Sequence, residues 1–235
     1  TYWGRNAFKL NHEYVGLGAL LLALLAFVGG GARPVERWTL AGIGLFAFLY
    51  ALGPHTPVWG ISYALLPGID LFRAPSMAIF LTGLSICALA GLGVDRILQW
   101  SGHPDSAEAR RGQRNAWIAA GALGAVLLLA ASGVLASLWA GALYPELTGA
   151  KAEALGRAEP FLVRGALIAT LIVAALAGIV TLGRRGILPA PAVVAALVFL
   201  VSVDGLRVSD AFIQTSDPAR LTTPDPNIQA LEQLK

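Results

Sequence analysis

The sequence predicts an all-α integral membrane protein, a bundle of about six transmembrane helices with a short interfacial helix in an external 54–75 loop. Of its 235 residues, 56% are hydrophobic and 13% are charged, against roughly 25% charged in an ordinary soluble domain. Six apolar runs reach or approach the roughly 20 residues that a spanning helix needs. They are Tyr14–Val28, Trp38–Leu52, Ser76–Val94, Trp117–Ala140, Phe161–Leu182 and Ile187–Val203.

Arginines between the spans predict the orientation, because cytoplasmic loops of membrane proteins carry an excess of Lys and Arg. The loops after the first, third and fifth spans contain Arg33, Arg37, Arg96, Arg110, Arg111, Arg114, Arg184 and Arg185. Basic residues on the opposite side are diluted by acidic ones. We therefore expect a multi-pass protein of the inner or plasma membrane, with the arginine-rich loops inside. Both ends of the chain and the 54–75 loop are then extracytoplasmic.

Three segments follow from this pattern. Residues 1–13 form an external segment, 14–203 the membrane domain, and 204–235 the start of an external soluble region. The chain begins with Thr1, and its only methionine is Met77. We therefore expect it to be a piece of a longer protein.

Composition also narrows the chemistry. The net charge of +3 is modest, and in a membrane protein the positions of the charges matter more than their sum, so no nucleic-acid partner is predicted. Cys87 is the only cysteine, which excludes an internal disulfide and a cysteine metal site. Pairs such as Asp-x-Asp or His-x-x-x-His do not occur, so we predict neither a metal site nor a cofactor.

The segment between the second and third spans carries several local signals together. Thr56-Pro57 predicts an N-cap followed by proline at the first helical position, starting a short helix through Val58–Leu66. Pro67-Gly68 predicts its end. Arg73 comes shortly before Pro75 and the next apolar run, so it is expected close to a helix N-terminus, where backbone N–H groups favour an anion.

Four polar side chains are candidates for an external binding site. Arg73 suits a lipid phosphate through its planar fork of donors, or it snorkels to the interface or pairs with Asp70. Asp70 is that partner, or a general base or metal ligand. For Glu13 the same alternatives apply: a charge partner, a general base or a metal ligand. His55 either hydrogen-bonds a sugar or phosphate or is a loop residue whose hydrogen bonds are satisfied within the protein.

Several motifs in this order resemble YfhO-type bacterial membrane proteins, and the resemblance covers most of residues 14–210. The motifs are Tyr14-x-Gly16, Leu52-Gly53-x-x-Thr56-Pro57, Tyr63-x-Leu65-Leu66-Pro67-Gly68, Phe72-Arg73-x-Pro75 and Leu89-Ala90-Gly91-x-Gly93-x-Asp95.

The resemblance implies a polytopic glycosyltransferase of the GT-C type. Such an enzyme uses a polyprenyl-phosphate-linked sugar donor outside the cytoplasm and modifies a cell-envelope glycan or lipid. Its catalytic acidic residue is expected upstream of this chain, which would supply part of the donor-lipid groove. Arg73 would contact the donor phosphate, with His55, Asp70 and Glu13 lining the external site. The family pattern continues to a second arginine, where this chain has Met77.

The competing hypothesis is a non-catalytic membrane scaffold or a transporter. A transporter is expected to show ionisable residues at mid-span or broken helices in matched halves. The predicted spans are almost purely apolar, which argues against transport. A scaffold would tolerate every substitution at Arg73, Asp70 and His55.

Overall fold

The computed structural model of the protein describes residues 14–29, 33–69, 75–143 and 149–210. Every regular element in these ranges is helical, which confirms the all-α prediction. The α-helices are α1 (Leu17–Leu25), α2 (Pro34–Ala51), α3 (Pro57–Leu65), α4 (Ile79–Gly102), α5 (Ala107–Ala131), α6 (Val134–Leu143), α7 (Ala150–Arg184) and α8 (Ala190–Ser209).

Within these described ranges, four helical segments are long and apolar enough to cross a membrane. They are Pro75–Gly102, Ala107–Ala131, Leu155–Arg184 and Ala190–Ser209. They overlap the last four of the six predicted spans, although the fourth ends at Ala131 and its predicted remainder lies in the separate helix α6 after Gly133, at φ 73°. The protein is therefore a membrane-embedded helical bundle.

The first two predicted spans are shorter or less apolar than the other four. Helix α1 has nine residues, about 14 Å at 1.5 Å per residue, which is less than half of a bilayer core of about 30 Å. Gly16, at φ 99°, precedes it, and Gly29, at φ 80°, lies in the turns that follow it. Helix α2 has 18 residues, with Glu36 and Arg37 in its first turns.

The short helix α1 is largely buried, with Leu20 and Leu24 as its exposed side chains. It packs mainly against α4 and also against α7, and its side chains Leu22 and Leu25 are almost completely buried. Val173 and Leu176 of α7 and Leu197 of α8 belong to the same apolar core. A helix too short to span is thus packed along longer ones, where irregular backbone at its ends is tolerated.

Helices α2 and α4 run in opposite directions along each other. The Thr82 hydroxyl, near the start of α4, donates to the Gly44 carbonyl at 3.1 Å. Near its other end, α4 approaches the start of α2 around Arg37 and Arg96. The pair therefore has two ends, and each contains a cavity described below.

The chain divides into two compact units, Glu13–Gly205 and Thr1–His12 together with Leu206–Lys235. The packing given above belongs to the first unit. Of the second unit, only Leu206–Asp210 is among the described residues. Of the predicted external segments, 1–13 and the part of 204–235 that follows residue 210 lie outside them, whereas Asp204–Ser209 continue α8.

Close packing between α1 and α4 depends on Gly93. A Cβ added there would lie 2.0 Å from the Leu22 carbonyl oxygen, whereas one added at Gly91 would meet nothing within 4 Å. We expect Gly93→Ala to force the helices apart and to destabilise the fold by about 1–3 kcal/mol. Thermal unfolding of the purified protein in detergent measures this.

Gly91→Ala is the matched control in the same helix. Replacing an exposed helical glycine gains roughly 0.5–1 kcal/mol of helix propensity, so its melting temperature should hold or rise. Equal melting temperatures for the two variants would contradict the close approach of α1 and α4.

Candidate functional site

The described part of the predicted site begins with the short helix after the second span. Helix α3 starts at Pro57 with Thr56 before it, which confirms the predicted start, and ends at Leu65 before Pro67-Gly68. The Thr56 side chain does not cap α3. Its hydroxyl instead donates to the Leu49 carbonyl near the end of α2 at 2.6 Å, so it joins the two helices.

Of the four candidate site residues, the structure describes only His55. It belongs to a 3₁₀ turn over Gly53–His55, and its side chain is exposed. Glu13, Asp70 and Arg73 lie outside the described residues. Their convergence with His55 therefore stays a prediction.

An apolar groove lies between α2 and the start of α4. Its volume is about 600 Å³, within the roughly 300–1,000 Å³ of small-molecule sites. Tyr50 contributes the single hydroxyl among the described lining residues. The lining consists of Gly42, Ile43, Phe46, Ala47, Tyr50, Ile69, Pro75, Met77, Ala78 and Leu81.

The position of this groove connects it to the predicted site. Ile69 and Pro75, the described residues on either side of 70–74, both line it. Met77, at the position of the expected second arginine, also lines it and is 76% exposed. An apolar side chain there extends the groove wall. A groove of this composition suits a hydrocarbon chain, because burial of apolar surface is its main source of affinity.

A buried carboxylate that the sequence analysis did not single out lies at the N-terminus of α1. Asp204 of α8 is fully buried. It accepts hydrogen bonds from the backbone N–H of Leu17 at 2.7 Å and of Gly18 at 3.2 Å, and from the Tyr14 hydroxyl at 2.8 Å. A negative charge on the first free N–H groups of a helix is stabilising. Asp204 therefore caps α1 from another helix.

Two buried arginines lie at the opposite end of α1. Arg37 of α2 donates to the Ala26 carbonyl at 3.0 Å, and Arg96 of α4 donates to the Val28 carbonyl at 3.0 Å. Arg37 also lies over the Phe27 ring at 5.5 Å. Both arginines are among those that the positive-inside rule assigns to topology. The structure adds a second role, since they satisfy carbonyl groups after the last turn of α1.

A signal for these three residues was present in the sequence. Each is an ionisable side chain inside or beside an apolar run, where charges are costly and therefore usually have a partner. Only the folded chain identifies that partner. For the described residues, no three His, Cys, Asp or Glu side chains lie together in a way that holds a metal ion.

Comparison with known proteins adds no relative. No known protein family, curated protein or solved structure matches this chain. The resemblance to YfhO-type proteins therefore depends on the motifs quoted above.

Asp204→Asn tests the cap of α1. An amide keeps the shape and one acceptor oxygen but loses the charge, and its NH₂ group replaces the oxygen that accepts from the Tyr14 hydroxyl. We expect the free energy of unfolding to fall by about 1–3 kcal/mol, measured by thermal or denaturant unfolding in detergent. Asp105→Asn, at an exposed position, is the control and should leave stability unchanged. An unaffected Asp204→Asn protein would show that the carboxylate does not hold α1.

Proposed function

We propose that the chain is part of a membrane glycosyltransferase of the GT-C type, which uses a polyprenyl-phosphate sugar donor on the extracytoplasmic side. The acceptor is a glycan or lipid of the cell envelope, and the membrane is the inner or plasma membrane. The apolar groove between α2 and α4 holds part of the polyprenyl chain. The fold supports this proposal at the level of a membrane-embedded helical bundle.

One observation carries the proposal: the groove has an almost wholly apolar lining and is flanked by Ile69 and Pro75. These two residues adjoin 70–74, the segment that contains Asp70 and Arg73. A donor of this class has a long hydrocarbon chain attached to a phosphate. An apolar groove next in sequence to an arginine therefore matches the two parts of the donor.

The chemistry of the proposed reaction is a displacement at the anomeric carbon. The acceptor hydroxyl oxygen forms a bond to that carbon, and an acidic residue upstream of Thr1 takes its proton. The bond from the anomeric carbon to the phosphate oxygen breaks, and the lipid phosphate leaves with the electron pair. Arg73 stabilises the charge on the leaving phosphate, while His55, Asp70 and Glu13 line the external site.

A transporter is the second candidate, favoured by a specific observation. Asp204, Arg37 and Arg96 are ionisable side chains buried between helices, which weakens the argument from purely apolar spans. Their hydrogen bonds to the ends of α1 nevertheless fit structural caps. We therefore rank transport below transfer. The scaffold hypothesis has no observation of its own and is the outcome if every transfer assay is negative.

Arg73→Ala tests the donor-phosphate role in the full-length protein. We expect transfer of labelled sugar from polyprenyl-phosphate donors to fall at least tenfold, because losing one charge-assisted hydrogen bond to a phosphate costs about 1.5–3 kcal/mol. Membrane insertion should not change. Arg164→Ala, at an exposed arginine of α7, is the control. Unchanged transfer in Arg73→Ala would remove this residue from the site.

Gly42→Trp tests the groove. Gly42 lines it, and a Cβ added there meets nothing within 4 Å, so a larger side chain at this position begins in open space at the groove wall. Excluding two methylene groups of the donor at about 0.8 kcal/mol each predicts a rise in donor KM of about tenfold. Steady-state transfer with varied donor concentration measures it.

Gly121→Trp on α5 is the matched control, because an added Cβ there is equally unhindered and lies outside the groove lining. The same KM in both variants would show that the polyprenyl chain binds elsewhere. If the full-length protein transfers sugar and neither substitution changes the rate, the enzyme hypothesis is retained and the proposed site at Arg73 and Gly42 is excluded.

A further inference from the structure

A second cavity lies at the opposite end of the α2–α4 pair from the apolar groove. Its volume is about 180 Å³, and it is lined by Arg33, Arg37, Asp95, Arg96 and Gln99 together with apolar neighbours. Three cations and one carboxylate give this lining a net charge of +2. This lining is charged, whereas that of the groove is apolar, so the cavity suits an anion and not a hydrocarbon chain.

Two of these cations are buried, and neither forms an ion pair with a described residue. Arg37 is 8% exposed and Arg96 is 7% exposed. In the part of the chain that the structure describes, no carboxylate lies within ion-pair distance of either guanidinium. Removing a charge from water costs several kcal/mol unless an opposite charge or several hydrogen bonds compensate for it. Carbonyl groups at the end of α1 supply only partial negative charge.

Hydrogen-bond donors also remain unused. A guanidinium has five N–H groups. Arg37 gives one to Ala26, while Arg96 gives one to Val28 and another to the Gln99 side-chain oxygen at 3.0 Å. The Nε of each arginine is buried and has no partner among the described residues. Unpaired buried donors are rare in folded proteins, and the described residues hold two others outside this lining, on Trp100 and Arg184. Because neither Nε of the cavity arginines has accessible surface, a ligand would bind their terminal guanidinium nitrogens.

We propose that this cavity binds a phosphate group, and that the phosphate belongs to the head group of an anionic membrane lipid. A tetrahedral anion accepts from several guanidinium donors at once, which is the geometry arginine recognises best. The cavity is smaller than the 300 Å³ at the lower limit of small-molecule sites, so it holds a head-group phosphate and leaves the acyl chains outside. Basic pockets between transmembrane helices are suited to such head groups.

Arg33 is the residue through which the proposal is tested. It is exposed, precedes α2 and makes no side-chain cap bond, so replacing it leaves the buried bonds to α1 in place. The probes are phosphatidylglycerol, phosphatidylcholine and inorganic phosphate, each titrated onto the purified full chain in detergent. Bound lipid is counted by native mass spectrometry, and thermal unfolding reports both folding and ligand stabilisation.

We expect the wild-type protein to bind phosphatidylglycerol more tightly than phosphatidylcholine. Arg33→Gln should weaken phosphatidylglycerol binding about fivefold, as expected for one cation near an anionic head group. Arg114→Gln makes the same charge change at an exposed position outside the cavity and should leave binding unchanged.

Two results would overturn the proposal in different ways. Equal binding by the Arg33→Gln and Arg114→Gln variants would exclude this cavity as the anion site. Saturation by inorganic phosphate that depends on Arg33, without any preference for phosphatidylglycerol, would keep the phosphate site but exclude the lipid as its source. Neither result depends on glycosyltransferase activity, so this inference and the proposed function can fail separately.

Discussion

The structure depends on the charges at the two ends of α1. A nine-residue helix inside a bundle has free N–H groups at one end and free carbonyl groups at the other, with little water to satisfy them. Asp204 binds the first set, and Arg37 and Arg96 bind the carbonyl groups that follow the last turn. The signs agree with the helix dipole, negative at the N-terminus and positive at the C-terminus. Hydrogen bonds to charged groups contribute about 1.5–3 kcal/mol each, which makes these contacts large on the scale of protein stability.

This arrangement also explains why the α2–α4 pair has two dissimilar cavities. At one end, the arginines that hold α1 bring positive charge into the interior and leave a small cationic cavity. At the other end lies the larger groove, whose described lining consists of apolar side chains and Tyr50. The two ends of one helix pair thus differ in the ligands they favour, a hydrocarbon chain in one place and an anion in the other.

Much of the fold could be predicted from the sequence because membrane insertion leaves a strong local signal. Apolar runs gave the four long helices, and Thr56-Pro57 gave the start of α3. The short, largely buried form of α1 could not be predicted in this way, since Tyr14–Val28 is apolar whether it crosses a membrane or packs along other helices. The charged side chains that bind the two ends of α1 distinguish these two cases, and two of them are distant from α1 in the sequence. Asp204 looked like an exit from the membrane because its partners, Leu17 and Gly18, are far away in sequence.

The same reasoning applies to the candidate sites. The 54–75 loop was predicted to hold a binding site because its turn and charge signals are local in the sequence. The groove beside it is formed when residues of α2 meet Pro75, Met77 and Leu81, and no spacing in the sequence predicts that meeting. Arg33, Arg37 and Arg96 were assigned to topology because the positive-inside rule already accounts for them. Burial and unused donors distinguish two of them from arginines in an ordinary cytoplasmic loop.

The cap on α1 has a consequence for biogenesis. Tyr14 and Asp204 are 190 positions apart, so at 5–20 residues per second the ribosome needs about 10–40 s to make the second after the first. Arg96 follows Val28 by only 68 positions, so the carbonyl end of α1 obtains its partner much earlier. During this interval α8 has not yet been synthesised, so Asp204 cannot accept from the N–H groups at the start of α1. The N-terminal end of α1, the first of the described helices to be made, therefore cannot obtain its carboxylate partner until α8, the last of them, has been synthesised.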